Sequence, residues 1–136
     1  METIKTNDLA VADAKTLARE IAKILIEKKG LDVSIYDVRE KTSVTDFYVN
    51  ATGRSSTHVS SLADEVDYFI GLRGRNSARI EGRAGNSWVL VDYLDVIVNV
   101  FDRESRDFYS LERLMPEGSQ VDMTDIIKEV DDKLSN

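Results

Sequence analysis

Cysteine is absent from all 136 residues, which excludes disulfides and thiolate metal sites. A chain of this length buries on the order of two-thirds of its unfolded surface, so one core can hold it without such staples. No apolar run approaches the roughly 20 residues that cross a bilayer. Met1 to Ala10 has no apolar run behind a basic cluster, so a secretory leader is not expected and a cytoplasmic protein is. Positive charge is short as well: 18 Lys and Arg stand against 25 Asp and Glu, a net charge of −7. Nucleic-acid binders draw affinity from Lys and Arg that displace counterions, so a primary nucleic-acid binder is disfavoured. A basic protein partner suits the acidic field, although solubility alone also accounts for it.

Apolar periodicity supplies the elements. Asn7 or Asp8 is placed to cap a first helix carrying Leu17, Ile21, Ile24 and Leu25 on one stripe, with Gly30 as its stop. Val33 to Tyr36 alternates as a strand, Lys41 to Thr45 reads as a turn, and Phe47 to Ala51 as a second strand. Gly53 ends that strand. Ser55 or Ser56 then caps a helix with Val59, Leu62, Val66, Phe69 and Ile70 at spacings of three and four, closed by Gly71 and Gly74. Arg79 to Arg83 is a short strand, and Ser87 to Tyr93 with Asp95 to Phe101 reads as a hairpin. Asp102 caps a further helix with Phe108, Leu111 and Leu114, which Pro116 and Gly118 end. The expected fold is α/β, a mixed five-stranded sheet flanked by helices. Residues 1–116 form the domain. Residues 117–136 form an acidic tail, with Ile126, Ile127, Val130 and Leu134 at helical spacing, read as a loosely docked helix.

Side chains alternate across a sheet, so parity sorts the hairpin by face. With the turn at Tyr93-Leu94, Val91 pairs with Val96 and Val89 with Val98, an aliphatic side for the core. The opposite side carries Trp88, Leu90, Asp92, Ile97, Asn99 and Phe101, with Trp88 across from Asn99. Aromatic anchors beside an amide are the composition of a protein–protein interface centre; a Trp buried by further structure would read the same way.

Catalytic constellations are thin. The one histidine, His58, sits in the first turn of the Ser55 helix and reads as a surface or capping residue rather than a general base. Gly53-Arg54-Ser55-Ser56 is a strand-to-helix turn of the kind that offers backbone N–H groups and hydroxyls to an anion, or else simply caps its helix. Nucleotidyltransferases follow such a turn with paired carboxylates for two metal ions. Here the next strand reads Ala78-Arg79-Ile80-Glu81, without an Asp-x-Asp. Neither a cofactor nor a metal is expected. Arg73, Arg75, Arg79 and Arg83 form a local basic run able to touch RNA phosphates or to lie in a solvated loop. Asp122, Asp125, Glu129, Asp131 and Asp132 read as a solvated face.

In order, these motifs carry a resemblance. Asp46-Phe47-Tyr48-Val49, then Ala51-Thr52-Gly53-Arg54-Ser55-Ser56-Thr57-His58-Val59 and Leu62-Ala63-Asp64, are similar to the signature of the ribosomal silencing factor (Iojap) family. Glu81-Gly82, Trp88 to Tyr93, Asp95 to Phe101, Ser105-Arg106, Tyr109 and Leu111 to Leu114 continue it, so the likeness runs from about Asp13 to Met115. Three positions depart from the pattern. Met115 stands where the family usually has Trp, Asn99 where it often has His, and Leu94 where Gly is common. Because Leu resists positive φ, a four-residue turn from Asp92 to Asp95 is expected.

The resemblance implies a nucleotidyltransferase-like fold that has lost its catalytic carboxylates, and no enzyme activity. It implies binding to the fourteenth protein of the large ribosomal subunit, blocking subunit joining and lowering translation when nutrients are short. Homodimers in isolation are also implied. The expected partner-binding residues are Trp88, Asp92, Asn99 and Phe101 on the hairpin with Tyr109, Glu112, Leu114 and Met115 after it. Two rivals remain open: a nucleotidyltransferase-like enzyme using the Gly53–Ser55 turn, and a scaffold for some unrelated metabolic assembly.

Overall fold

The computed structural model describes residues 5–135; the first four residues of the Met1–Ala10 segment lie outside the described residues. Helix α1 spans Ala14–Glu27, strands β1 Leu31–Asp37 and β2 Phe47–Gly53, helix α2 Ser56–Leu72, and strands β3 Arg79–Glu81, β4 Trp88–Asp92 and β5 Val96–Asp102. Helix α3 (Arg103–Tyr109), a 3-10 turn (Leu111–Leu114) and helix α4 (Thr124–Ser135) follow. The sheet order is β1-β2-β5-β4-β3, with β2 and β5 parallel and every other pair antiparallel. This is the mixed five-stranded, helix-flanked sheet that the sequence predicts. Among the described residues no helix is long and apolar enough to cross a membrane.

One face of the sheet is the core face. Val49, Ala51, Val89, Val91, Val96, Val98 and Val100 pack there against Leu17, Ile21 and Leu25 of α1 and Val59, Leu62, Val66 and Ile70 of α2. Such a layer of interleaved aliphatics supplies the main stabilisation of a small α/β domain. Helix α4 packs on α1, burying Ile126 and Val130, with Met123 just before it nearly buried. The segment before α4 covers the outer edge of β1, since Asp37 donates to Ser119 O and Val121 to Ile35 O, both at 2.8 Å. An edge strand covered in this way offers less of its ladder to another chain.

Several sequence expectations need correction. Helix α1 starts later than Asn7 or Asp8: its N-cap is Asp13, whose carboxylate accepts from Thr16 N at 2.8 Å. The preceding residues are drawn onto α2 instead, because Leu9 is buried and its N–H bonds Arg73 O at 2.9 Å. Lys29, not Gly30, takes the left-handed position after α1, at φ 70°. The expected helix through Leu114 breaks at Ser110, which adopts φ 47°, and resumes as the 3-10 turn.

The hairpin register lies two residues from the expected one. Val91 pairs with Val98, Val89 with Val100, and Trp88 with Phe101 rather than Asn99. A slip of two leaves every side chain on its expected face. The loop is short, with Tyr93 N bonded to Val96 O at 2.9 Å and Asp95 N to Tyr93 O at 3.0 Å. Leu94 does adopt positive φ, 76°, against expectation. Compensation comes from Asp92, whose carboxylate accepts the Leu94 N–H at 2.7 Å.

Candidate functional site

The second face of the sheet is only partly roofed. Helix α3 and the 3-10 turn cross it as a strap, from which no residue is buried. Asp102 caps α3 through Ser105 N at 2.7 Å, fixing where the strap leaves β5. Trp88 lies half-buried at the strap's margin, with its ring centroid 5.0 Å from Phe101 beneath and 4.8 Å from Tyr109 beside. Phe108 meets Tyr109 edge-on at 5.1 Å and is 76% exposed; Tyr109 is 54% and Leu114 78% exposed. Beyond Trp88 a shallow hollow of about 240 Å³ is lined by Glu81, Gly82, Trp88 and Leu90. Partly exposed aromatic rings packed against one another over a sheet face form the kind of patch that marks an interaction surface.

Beneath this patch runs a chain of side-chain hydrogen bonds. Trp88 Nε1 donates to Asn99 Oδ1, Asn99 Nδ2 to Asn50 Oδ1, and Asn50 Nδ2 to Glu112 Oε2, each at 3.0 Å. Arg106 then donates to the same Glu112 oxygen at 2.9 Å, to Thr52 Oγ1 at 3.0 Å and to Asp32 O at 2.8 Å. The strap is thereby tied to β1 and β2 by polar contacts rather than by buried apolar surface.

The expected partner-binding residues therefore divide. Trp88, Tyr109 and Leu114 are at the surface, and Met115 is half-buried next to Leu114. Phe101 and Asn99 are buried under Trp88 and the strap, where they support the surface. Glu112 is engaged within the chain by Asn50 and Arg106. Asp92 lies at the far end of β4, bonded to Arg79 and to the hairpin loop. The sequence gives no sign of Phe108 as a surface group, and it assigns Asn50, Thr52 and Arg106 no place in the site. The alternation of Asn50 and Thr52 with Val49 and Ala51 marked a polar side of β2, but gave no partner for it.

The Gly53–Ser56 turn is engaged within the protein at Arg54 and Ser55. Ser55 Oγ accepts from His58 N at 3.1 Å, and Arg54 N donates to His58 Nδ1 at 2.9 Å. The imidazole Nε2 lies 3.1 Å from Lys28 O, so a neutral His58 with its proton on Nε2 clips the end of α1 to the start of α2. The glycine is explained by packing: a Cβ on Gly53 would lie 2.8 Å from both Val59 N and Val59 Cγ2. Gly53→Ala is accordingly expected to destabilise the free protein by about 1–3 kcal/mol, the usual cost of overpacking. Denaturant unfolding without any ligand checks this; an unchanged midpoint would return the glycine to a ligand-binding explanation.

The basic run is neutralised locally. Arg73 pairs with Asp8 and Glu20, Arg75 with Asp95, Arg79 with Asp92, and Arg83 with Asp64. Hydrogen bonds from Arg73 and Thr6 hold the Asp8 carboxyl well below the usual carboxylate range. A contact with RNA phosphates would require these guanidinium groups to exchange partners. Asp92 and Asp95 each face a separate arginine and converge on no common point.

Comparison with known proteins identifies the family. The family described as "Ribosomal silencing factor during starvation" matches residues 11–136. The ribosomal silencing factor of Zymomonas mobilis is 32% identical over 110 residues, covering 81% of this chain and 83% of that one. Its counterpart in Haemophilus influenzae is 37% identical over 86 residues, covering 63% of this chain and 84% of that one. A crystal structure of a Chromobacterium violaceum protein matches with a TM-score of 0.74 at 31% identity, over 76% of this chain and 87% of that chain. The chain belongs to the ribosomal silencing factor family.

Proposed function

We propose that this protein binds the large ribosomal subunit through its fourteenth protein and blocks subunit joining by steric exclusion, lowering translation under nutrient limitation. The observation that carries the reading is the ring-to-ring group of half-buried Trp88 and exposed Tyr109 and Phe108 on the second sheet face, in a chain of this family. Leu90 lines the same hollow as Trp88, and Leu114 is exposed further along the strap. Aromatic anchors at the centre of an interface supply most of its affinity. The chain's net charge of −7 favours encounter with a basic ribosomal protein. No catalytic step enters this mechanism; it requires binding energy alone, and it acts in the cytoplasm. The same apolar patch offers a second copy of the chain a symmetric surface when no ribosome is present.

Co-sedimentation tests the reading. Purified large subunits are expected to carry the protein down, and small subunits added afterwards are expected to remain unjoined. Subunits that associate freely with the protein bound in excess would remove the mechanism. Loss of the protein from the pellet when small subunits are added would show competition for one face, as proposed.

A further inference from the structure

We infer that Asn50 and Glu112, anchored by Arg106, are positioning residues that set the orientation of Trp88 through a directional chain of side-chain hydrogen bonds. The inference rests on the proposed role of Trp88 in docking, but its physical content concerns the free protein.

Direction is fixed at both ends of the chain. An indole N–H can only donate, and an ionised carboxylate can only accept. Between Trp88 and Glu112 stand two carboxamides, each of which donates through its nitrogen and accepts through its oxygen. With Glu112 as acceptor, Asn50 must turn its NH2 group toward the strap and its Oδ1 toward Asn99. Asn99 must then turn its NH2 group to Asn50 and its Oδ1 to Trp88, as the three 3.0 Å contacts require. Reversing either amide places oxygen against oxygen or nitrogen against nitrogen at two contacts. Asn50 is 0% and Asn99 1% exposed, so water has little access to repair such a mismatch.

The far end is held equally firmly. The Arg106 side chain is 10% exposed, and its guanidinium joins Glu112 of the strap to Thr52 of β2 and the Asp32 carbonyl of β1. The carboxylate at the end of the chain therefore has a fixed place, and the indole at the other end inherits it. Tyr109, on the same strap, meets that indole in a tilted ring contact at 4.8 Å. The polar chain and the ring contact thus hold the strap and Trp88 as one surface. Preorganisation of this kind raises affinity by removing ordering costs at binding.

The molecule contains one tryptophan, so its fluorescence reports Trp88 alone. The experiment compares emission and acrylamide quenching of the wild-type chain with Asn50→Asp, Glu112→Ala and Glu112→Gln, well above the carboxylate titration range. Asn50→Asp places a second carboxylate against Glu112, and Glu112→Ala removes the terminal acceptor. Both variants are expected to red-shift Trp88 emission and increase quenching, although neither residue touches the indole. Glu112→Gln keeps an acceptor oxygen for Asn50 and is expected to retain the wild-type spectrum. Should Asn50→Asp fail to fold, Glu112→Ala on the half-exposed 3-10 turn carries the test. Wild-type emission in Glu112→Ala would overturn the inference, and so would a Glu112→Gln spectrum as shifted as that of Glu112→Ala.

Asn50 is buried and cannot meet a partner, so its effect on binding must travel through Trp88. Asn50→Asp is expected to weaken large-subunit binding by about tenfold, in line with the loss of one buried hydrogen bond to a charged group. Shifted fluorescence with unchanged ribosome binding would support the chain and remove Trp88 from the docking surface. Unshifted fluorescence with weakened binding would overturn the chain and leave the docking surface standing.

Discussion

Trp88→Ala is expected to weaken binding to the large ribosomal subunit by about thirtyfold or more, equivalent to about 2 kcal/mol, the threshold for an interface hot spot. The indole lies at the margin of the strap, in tilted contact with the rings of Phe101 and Tyr109. Its N–H is already satisfied by Asn99, so docking need not desolvate an unpaired donor. The sequence alone predicts little effect on stability, but the packing argues for a measurable loss. Removing the ring strips the cover from Phe101 and leaves the buried Asn99 oxygen without its donor. A cost of about 1–3 kcal/mol follows from the unpaired acceptor. The affinity measurement therefore belongs well below the unfolding midpoint, with circular dichroism as the check on folding. Trp88→Phe separates the two contributions, since it keeps an aromatic ring and loses the N–H. Wild-type affinity in folded Trp88→Ala would remove this face from the docking assignment.

The sheet and its two faces were legible because strand alternation is a local signal. Parity placed Trp88, Asn99 and Phe101 together and the valines opposite them, and it survived a register slip because a shift of two preserves facing. Burial was not legible, because it depends on what crosses the face. Phe101 and Asn99 share a parity with Trp88, yet the strap and the indole cover them. The start of α1 was illegible for a related reason. Asn7, Asp8 and Asp13 are all acceptable caps, and the choice falls to Leu9, which is buried through contacts made some sixty residues away in sequence. Leu94 shows how a local rule yields: two loop hydrogen bonds and the Asp92 carboxylate hold a backbone angle that leucine disfavours.

The polar chain under the docking face was the least legible feature. Asn50 and Asn99 meet only because β2 and β5, far apart in sequence, lie side by side in parallel. Arg106 stands in the sequence only as part of a family motif, and Glu112 only as an expected partner-binding residue. Their engagement with each other changes what Glu112 can contribute. A carboxylate already bonded to Asn50 and Arg106 offers little net attraction to a newcomer. The acidic complement to a ribosomal protein then rests on the overall field of the chain rather than on that one side chain.

Ile126→Ala is expected to lower unfolding stability by about 2–4 kcal/mol, the usual cost of truncating a fully buried aliphatic side chain. The segment from residue 117 onward reads in sequence as a loosely docked tail, and this substitution measures how tightly it is held. Ile126 is 0% and Val130 2% exposed against α1. Three ion pairs flank them, joining Arg19 to Asp125, Lys23 to Glu129 and Lys133 to Glu27. Each of these pairs is partly exposed and screened by solvent, so apolar burial decides the docking. Asp125→Ala is the matching control and is expected to leave the unfolding midpoint nearly unchanged. Both values come from denaturant titration followed by far-ultraviolet circular dichroism, with a single transition expected if α4 unfolds with the rest. A cost below about half a kcal/mol, the range of ordinary surface substitutions, would instead make α4 a separately fraying appendage. Helix α4 sits on α1, across the core from the strap, so folded Ile126→Ala should bind large subunits like the wild type. Stability and docking would then separate along the two faces of the sheet, with the aliphatic side holding the fold and the polar side holding Trp88.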